Sequence, residues 1–332
     1  MRRREFLGVL GGAAAAPALL WPRAARSQQP ALPLVGYLGS ESPDLFATRL
    51  RAFRQGLAAI GYIEGRDVAI EYRWAEGHNE RLPALADELV RARVMVISAP
   101  GSLASALAAK AATSTIPVVF ETGADPVAVG LVPSLNRPGG NITGVTSLNA
   151  QVGPKRLELL HEVIPAATTF ALLINPANPR NAEETLKSSQ EAARALKLQL
   201  HVLNASAERD FDGVFTQLAQ LRVAGLVIAN ETFYAMRSEQ LGVLAQRHAM
   251  PAVHQSREFA LAGGLMSYGG DTMESHRQAG VYTGRVLKGD KPAELPVQQV
   301  TKVQMVINLK TAKALGLTVS PTLLARADEV IE

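Results

Sequence analysis

The chain has 332 residues, with 34 lysines and arginines, 30 aspartates and glutamates and no cysteine, so its formal net charge is +4. The lack of cysteine excludes disulfides, thiolate zinc sites, iron–sulfur clusters and cysteine nucleophiles. Hydrophobic residues make up 47% of the chain. That is enough for a large core, which a chain of this length is expected to divide between two domains.

Residues 1–27 are predicted to form a removable twin-arginine signal peptide. The basic run 2–7 (RRREFL) precedes an apolar stretch at 8–20, about 13 residues long. This is shorter than the ~20 residues that span a bilayer as a helix. Small residues up to Ser27 suit a signal peptidase, with Gln28 as the first mature residue. The alternative is a basic tail on a cytoplasmic protein, but the order of the three parts favours a signal peptide.

The signal peptide also contains the whole positive excess. Residues 1–27 hold five arginines and one glutamate, which leaves 29 residues of each sign and no net charge in the rest of the chain. A nucleic-acid-binding domain needs a basic footprint on its folded part, so nucleic acid is not an expected partner. No later segment is long and apolar enough to span a membrane, and the mature protein is expected to be soluble.

Short runs rich in β-branched residues alternate with Ala/Leu-rich helical stretches along the mature chain. This pattern is typical of βαβ units and a mainly parallel sheet. In the first half, strands are predicted at 34–38, 68–72, 94–97 and 117–120, and helices at 45–60, 81–91 and 103–112. In the second half, strands are predicted at 170–174, 199–202, 226–228 and 251–253, and helices at 182–196, 211–222 and 238–248.

The two halves repeat one order of elements. Strands that begin at 34, 94 and 117 align with those at 170, 226 and 251, which are offset by 136, 132 and 134 residues. Nearly equal offsets favour two similar lobes in tandem, although all α/β sheets share this alternation and coincidence remains the alternative. Either interpretation predicts an α/β fold of two doubly wound, Rossmann-like lobes.

Three segments are predicted to cross between the lobes: 136–141 with the strand that follows it, 262–264, and 296–301. Lobe 1 then comprises 32–146 plus about 264–298, and lobe 2 comprises 147–263 plus about 299–332. Several crossings make a hinge with a cleft between the lobes. Because ligands bind at the carboxyl ends of parallel strands, the function is expected in that cleft.

Recognisable segments occur in order along the mature chain. They are 36–39 (GYLG), 53–57 (FRQGL), 61–65 (GYIEG), 116–120 (IPVVF), 125–127 (DPV), 130–132 (GLV), 136–144 (NRPGGNITG), 155–160 (KRLELL), 175–179 (NPANP), 307–317 (INLKTAKALGL) and 326–332 (RADEVIE). They resemble the substrate-binding proteins of bacterial ABC transporters, which have the type I periplasmic-binding fold. The resemblance is to the branch that includes tryptophan- and tyrosine-binding members.

The resemblance implies a monomeric receptor that closes on a small-molecule ligand, such as an amino acid or a related carboxylate. It also implies docking to ABC permease subunits in the inner membrane, with no cofactor and no metal. Many such proteins are anchored through a lipidated cysteine, which this chain lacks. The mature protein is therefore expected to be free in the periplasm.

Strand-end loops supply the predicted ligand-binding residues of lobe 1. Backbone N–H groups and hydroxyls where a helix begins can hold a carboxylate or another anion, although an ordinary N-cap explains the same residues. The loop at 121–126 offers two carboxylates for a ligand ammonium. It lines the site in the family, although its Asp before Pro also suits a turn. The predicted residues are Ser40, Glu41, Ser98, Pro100, Gly101, Ser102, Thr122, Gly123 and Asp125.

In the second half, the matching strand ends offer amides, and Phe233 is predicted either to stack on a ligand ring or to pack in the core. Tyr268 is expected to cover an apolar or aromatic ligand after the chain returns to lobe 1, with packing at the hinge as the alternative. The predicted residues are Asn175, Asn178, Asn230, Glu231, Tyr268 and Asp271.

Catalysis finds little support in the sequence. The six histidines show no metal-ligand spacing, and there is no G-x-S-x-G elbow, P-loop or G-x-G-x-x-G after a strand. The prediction is a binding protein, not an enzyme. A periplasmic sensor that signals through a receptor is the first alternative, and an exported enzyme is the second.

Overall fold

The computed structural model describes residues 32–147 and 149–332, which form two α/β sheets with flanking helices. The predicted signal peptide lies outside the described residues. None of the helices described is long and apolar enough to cross a membrane.

The first sheet has six strands, all parallel. They are β1 (Leu34–Gly39), β2 (Ala69–Trp74), β3 (Val96–Pro100), β4 (Val118–Thr122), β5 (Ile142–Thr146) and β11 (Gln298–Gln299), in the spatial order β11-β5-β4-β3-β1-β2. Its helices are α1 (Ala47–Ala59), α2 (Leu82–Arg91), α3 (Leu103–Ala112) and α10 (Thr272–Leu287). We call this sheet and these helices lobe 1.

The second sheet has seven strands, all parallel except for one antiparallel pair. They are β6 (Thr169–Ile174), β7 (Gln199–Asn204), β8 (Leu226–Ile228), β9 (Ala252–His254), β10 (Met266–Gly270), β12 (Val303–Asn308) and β13 (Glu329–Ile331), in the order β13-β12-β10-β9-β8-β6-β7. Its helices are α4 (Gly153–Val163), α5 (Pro179–Ala195), α6 (Phe211–Leu221), α7 (Thr232–Met236), α8 (Ser238–Arg247), α9 (Arg257–Leu261), α11 (Leu309–Ala314) and α12 (Pro321–Leu324). We call this sheet and these helices lobe 2. Single 3-10 turns lie at Asn79–Arg81, Glu208–Asp210 and Pro292–Glu294.

The two sheets confirm the predicted α/β fold of two doubly wound lobes. Strands that are buried on both faces have continuous apolar sequences, so their positions can be predicted from the sequence. In β6, for example, every residue after Thr169 is buried.

The chain passes between the sheets three times: between β5 and α4, after β10, and between β11 and β12. The prediction that lobe 1 resumes at about residue 264 is wrong for the segment up to Gly270. That segment forms β10, which pairs in parallel with β9 and antiparallel with β12 in the second sheet. The return to lobe 1 begins at Asp271, the N-cap of α10.

Lobe 1 is completed by a helix that follows the first five strands of lobe 2 in sequence. Helix α10 packs against α1 and the strands β3, β4 and β5. Two glycines allow the helices to approach closely, because a Cβ at Gly56 would overlap the carbonyl oxygen of Arg277, and a Cβ at Gly280 would overlap that of Phe53. The returning helix therefore fixes the outer face of lobe 1.

Candidate ligand-binding cleft

A cavity of about 30 Å³ lies between the lobes, where strands of both sheets end. Lobe 1 contributes Arg49, Gly101, Ser102, Leu103, Glu121, Thr122, Gly123, Ala124 and Thr272. The remaining lining comes from the first crossing and lobe 2: Ser147, Asn149, Asn178, Asn181, Asn230, Glu231, Thr232, Ala235 and Gln255. Most of these side chains are polar, and the two lobes enclose the cavity together.

Four helices begin at this cavity, because each follows a strand whose carboxyl end faces it. Helix α3 is capped by Ser102, whose Oγ accepts a hydrogen bond from Ser105 N, and α10 begins with Thr272. In lobe 2, Asn178 precedes α5 and Glu231 caps α7. The positive ends of α3 and α5 favour an anion, whereas α7 and α10 are already capped by the carboxylates of Glu231 and Asp271.

Arg49 is the cationic side chain in the lining. It lies in the first turn of α1, is 8% exposed, and its Cζ is 5.4 Å from the centre of the Phe46 ring. Burial lowers the pKa of Arg49, and Glu121 is the charged neighbour that raises it most. No hydrogen bond or ion pair joins the guanidinium to another described residue, so its donors are available to a ligand.

A buried acid and a neutral histidine lie beside Arg49. Glu121 accepts a hydrogen bond from Ser275 Oγ at 2.8 Å, and burial raises the pKa of this carboxyl. His276 Nδ1 is 2.8 Å from the carbonyl oxygen of Thr272, to which it donates, and burial lowers the pKa of His276 to about 3. The imidazole is therefore neutral at physiological pH, and its 3.6 Å approach to Glu121 is not an ion pair.

Lobe 2 presents amides. Asn178 Nδ2 donates to Glu231 Oε1 at 3.3 Å, and Asn181 Nδ2 donates to the Asn230 carbonyl at 2.7 Å. Burial raises the pKa of Glu231. Gln255 Oε1 is buried without a hydrogen-bond partner among the described residues. Within the same part of the chain, no group of three acidic or histidine side chains could hold a metal ion.

Two of the crossings are tied together beside the cavity. Asn149 Oδ1 accepts from Gly270 N at 2.9 Å, and Asn149 Nδ2 donates to Ser147 Oγ at 3.1 Å. Arg156 on α4 donates to the Tyr268 carbonyl at 2.7 Å and to both oxygens of Asn149 at 3.2 Å. Burial lowers the pKa of Arg156 to about 9. Arg156 of lobe 2 therefore hydrogen-bonds to both segments, the one that leaves lobe 1 and the one that returns to it.

Direct contacts join the lobes at the cleft. Arg237 Nη1 of lobe 2 lies 3.1 Å from Glu41 of lobe 1, and these side chains are 14% and 5% exposed. The guanidinium also lies 4.2 Å from the centre of the Phe233 ring. Burial raises the pKa of Glu41, and the attraction of Arg237 opposes this. Thr232 Oγ1 donates to the Gly101 carbonyl as a second contact between the lobes. The lobes are therefore closed on each other.

Seven of the predicted ligand-binding residues meet at the cavity. They are Gly101, Ser102, Thr122, Gly123, Asn178, Asn230 and Glu231. Four others line wider openings of about 900 and 710 Å³ at the mouths of the cleft: Ser40, Glu41 and Asn175 at the first, and Asp271 at the second.

The remaining four predicted residues lie outside the cavity lining. Ser98 is fully buried beside Thr283, and Pro100 is buried at the end of β3. Asp125 accepts hydrogen bonds from two backbone N–H groups of the following turn, which is the alternative role considered from the sequence. Tyr268 packs against the core of lobe 2 because β10 belongs to the second sheet.

Sequence reasoning missed Arg49, Asn149, Asn181 and Gln255. One signal was available for Arg49, which lies four residues before Phe53, a core residue on the buried face of α1. A charged residue on an apolar helix face requires a partner. Asn181 lies one helical turn beyond Asn178, within reach of the same site.

Two doubly wound α/β lobes closed around a polar cavity are characteristic of the type I periplasmic-binding fold. A family model described as ABC transporter substrate binding protein matches residues 41–331, and the chain belongs to this family. The resemblance to the branch with tryptophan- and tyrosine-binding members is confirmed. A curated relative, the tyrosine-binding protein of Clostridioides difficile strain R20291, is 24% identical over 280 residues, which cover 83% of this chain and 79% of that protein.

Two solved structures share the fold at a TM-score of 0.81. One is the ABC domain from Streptococcus pneumonia in complex with L-Trp, which is 24% identical, with 90% of this chain and 100% of that chain covered. The other is a conserved domain protein from Vibrio cholerae O1 biovar El Tor, which is 27% identical, with 90% of this chain and 99% of that chain covered.

Proposed function

We propose that this protein is the periplasmic solute receptor of an ABC importer and binds an amino acid or a related small carboxylate by closure of its lobes. The observation that supports this most directly is the enclosed polar cavity, which is lined by Arg49 and by Ser102 at the start of α3. An anion there is stabilised both by the helix dipoles and by the guanidinium.

The proposed cycle needs no chemical step. A ligand that contacts both lobes stabilises the closed form, because only that form makes all of its contacts. Glu41–Arg237 and Thr232–Gly101 join the lobes in the same form. In the proposal, permease subunits recognise the closed monomer, so ligand binding and docking follow from one population shift. The protein acts as a receptor and not as an enzyme.

Thermal unfolding with a panel of amino acids and small carboxylates tests the proposal. A ligand present at about 100 times its Kd stabilises the folded form by about 2.7 kcal/mol and raises the Tm. Small-angle scattering should show that the protein with the stabilising ligand is more compact than the stripped protein. A panel without any stabilising member, combined with turnover of a substrate, would contradict the proposal.

The proposed location depends on the signal peptide. We expect processing near Ser27 after export through the twin-arginine route. Replacing Arg3 and Arg4 by lysine should leave an uncleaved precursor in the cytoplasm, whereas Arg2→Lys, which keeps the pair, should not. N-terminal sequencing of the periplasmic fraction should begin at Gln28. Equal export of the double variant and the control would exclude this route.

A further inference from the structure

Arg49 is a cation that lacks an anion. Its side chain is more than nine-tenths buried, and its guanidinium makes no hydrogen bond with a described residue. Glu121 is close enough to affect it electrostatically, but that carboxylate is held by Ser275. A buried charge is costly unless it is paired and hydrogen-bonded. The planar fork of a guanidinium matches a carboxylate, which can accept two parallel hydrogen bonds.

Gln255 on lobe 2 has a buried acceptor that lacks a donor within the described part of the chain. Its Oε1 is buried at the cavity and accepts no hydrogen bond from a described residue. Oxygen and nitrogen of a side-chain amide can exchange places by rotation, so the group can serve a ligand donor or a ligand acceptor. Because Arg49 and Gln255 lie on different lobes, one ligand satisfies both only when the lobes are closed.

The rest of the lining lacks the surface that an aromatic side chain needs. An aromatic ring is stabilised by contact with apolar or aromatic surface, whereas no Phe, Tyr or Trp is among the lining residues described. The side chains of Thr122, Asn178 and Asn230 face the space instead. The Asn230 amide also lies against Gly123, where a Cβ would be only 2.8 Å from Asn230 Nδ2.

On the basis of the proposed function, we infer that the ligand is a small polar α-amino or α-hydroxy acid without an aromatic ring, whose carboxylate binds Arg49 and whose other polar groups bind Gln255 and the lobe 2 amides. The ligand therefore differs in class from the tryptophan and tyrosine that the related proteins bind.

Calorimetric titration of the mature protein, unfolded and refolded to remove bound solutes, tests this inference. The panel contains L-serine, L-asparagine, L-glutamine and L-malate against L-phenylalanine, L-tyrosine and L-tryptophan. We expect at least one polar member to bind 100-fold more tightly than any aromatic member. Tighter binding of an aromatic amino acid would overturn the inference but leave the proposed function intact. Absence of binding by every member would overturn the inference, and turnover of a substrate in addition would overturn the proposed function.

Variants then locate the contacts of the polar ligand. Gln255→Met should weaken its binding about tenfold, while the Tm of the ligand-free protein stays unchanged or rises, because the variant removes an unpaired buried acceptor. Ser105→Ala is the matched control. It removes another buried oxygen without a partner, from α3 and outside the cavity lining, and should leave affinity unchanged. Equal affinity in these two variants would exclude Gln255 as a contact.

Arg49→Met should weaken carboxylate binding at least 100-fold. Arg49→Lys keeps the charge but loses the fork, so it should weaken binding by a smaller factor. The lysine variant also serves if the methionine variant fails to fold. Two results together would show that Arg49 does not bind the carboxylate. Arg49→Lys would bind the polar ligand as tightly as the unaltered protein does, and it would bind the uncharged amide of that ligand equally well.

Discussion

The two lobes share an architecture but contribute different chemistry to the cavity. Lobe 1 supplies the buried cation Arg49 and the backbone around Gly101 and Gly123, whereas lobe 2 supplies the amides of Asn178 and Gln255. The charged end of a ligand can therefore be bound by one lobe, while most of the side-chain hydrogen bonds that distinguish one small acid from another come from the other. Each half-site is incomplete by itself, so in the proposed function selectivity is coupled to closure.

The lobes also differ in how their cores are completed. Lobe 1 has two buried clusters, on opposite faces of its sheet. The cluster that contains Phe53 of α1 also includes residues of α10. Lobe 2 has one larger cluster, which spans its sheet and helices. Because α10 comes after five of the seven strands of lobe 2, lobe 1 cannot finish its core until β6 to β10 have been synthesised.

The largest expected effect concerns this late helix. Gly280→Ala places a methyl group against the backbone of Phe53, which must move because it cannot rotate away. We expect a loss of about 3 kcal/mol in the free energy of unfolding, measured by urea denaturation. Gly213→Ala in α6 of lobe 2 is the control, because nothing lies within 4 Å of its added Cβ. That variant should gain about 0.5–1 kcal/mol from its helix propensity. Similar changes in both variants would contradict the close packing of α1 and α10.

The second effect tests whether the crossings are held from lobe 2. Arg156→Met removes the donors to the Tyr268 carbonyl and to both oxygens of Asn149, of which Oδ1 keeps its bond from Gly270 N. We expect a loss of about 2 kcal/mol in the free energy of unfolding. Arg326→Met, which breaks an exposed pair with Glu162, should cost no more than about 0.5 kcal/mol. Equal losses in the two variants would show that the crossings do not depend on Arg156.

The third effect concerns closure. Arg237→Met leaves the Glu41 carboxylate buried without its cation and removes the contact with the Phe233 ring. Closure becomes less favourable, so ligand affinity should fall about tenfold, equivalent to about 1.4 kcal/mol. Arg285→Met removes a similar ion pair and ring contact that lie wholly within lobe 1. Calorimetry should find the ligand affinity of Arg285→Met unchanged. A comparable loss of affinity in this control would show that the contact of Arg237 between the lobes has no specific effect on closure.

The fold was predictable because local sequence determines most of it. Helix α3 begins and ends where the sequence predicted, since an Ala/Leu run follows the N-cap Ser102 and ends before Thr113. The predicted return to lobe 1 at about residue 264 is wrong for β10, whose sequence, MSYGG, has no continuous apolar run that would indicate a strand. Its place is set by antiparallel pairing with Val303–Asn308, which local patterns do not reveal.

The site residues also divide into those that local sequence places and those that tertiary packing places. Residues that directly follow parallel strands, such as Thr122 and Asn230, reach the cavity because topology alone brings strand ends together. Arg49 lies within a helix, and its approach to Glu121 depends on how α1 packs against lobe 1. The spacing of Arg49 and Phe53 indicates the buried face of α1, but it does not indicate which groups Arg49 approaches there.

The smallest effect concerns Glu41, the partner of Arg237 at the contact between the lobes. Replacing Glu41 should change ligand affinity less than replacing Arg237. Burial raises the pKa of Glu41 above its ordinary value even with Arg237 beside it, so the protonated form is favoured in the closed protein. That stabilisation is fully present below the ordinary pKa of about 4.5 and is lost as the pH rises through the raised pKa.

Glu41→Gln retains the neutral form, and at pH 7 its ligand affinity should change by less than about threefold, well below the effect of Arg237→Met. Relative to Glu41→Gln, the unaltered protein should gain affinity as the pH falls from 7 towards 4.5. Calorimetric titrations at several pH values check both statements. Identical pH profiles, or a loss in Glu41→Gln as large as that in Arg237→Met, would show that the ionised carboxylate of lobe 1 is itself required for the lobes to close.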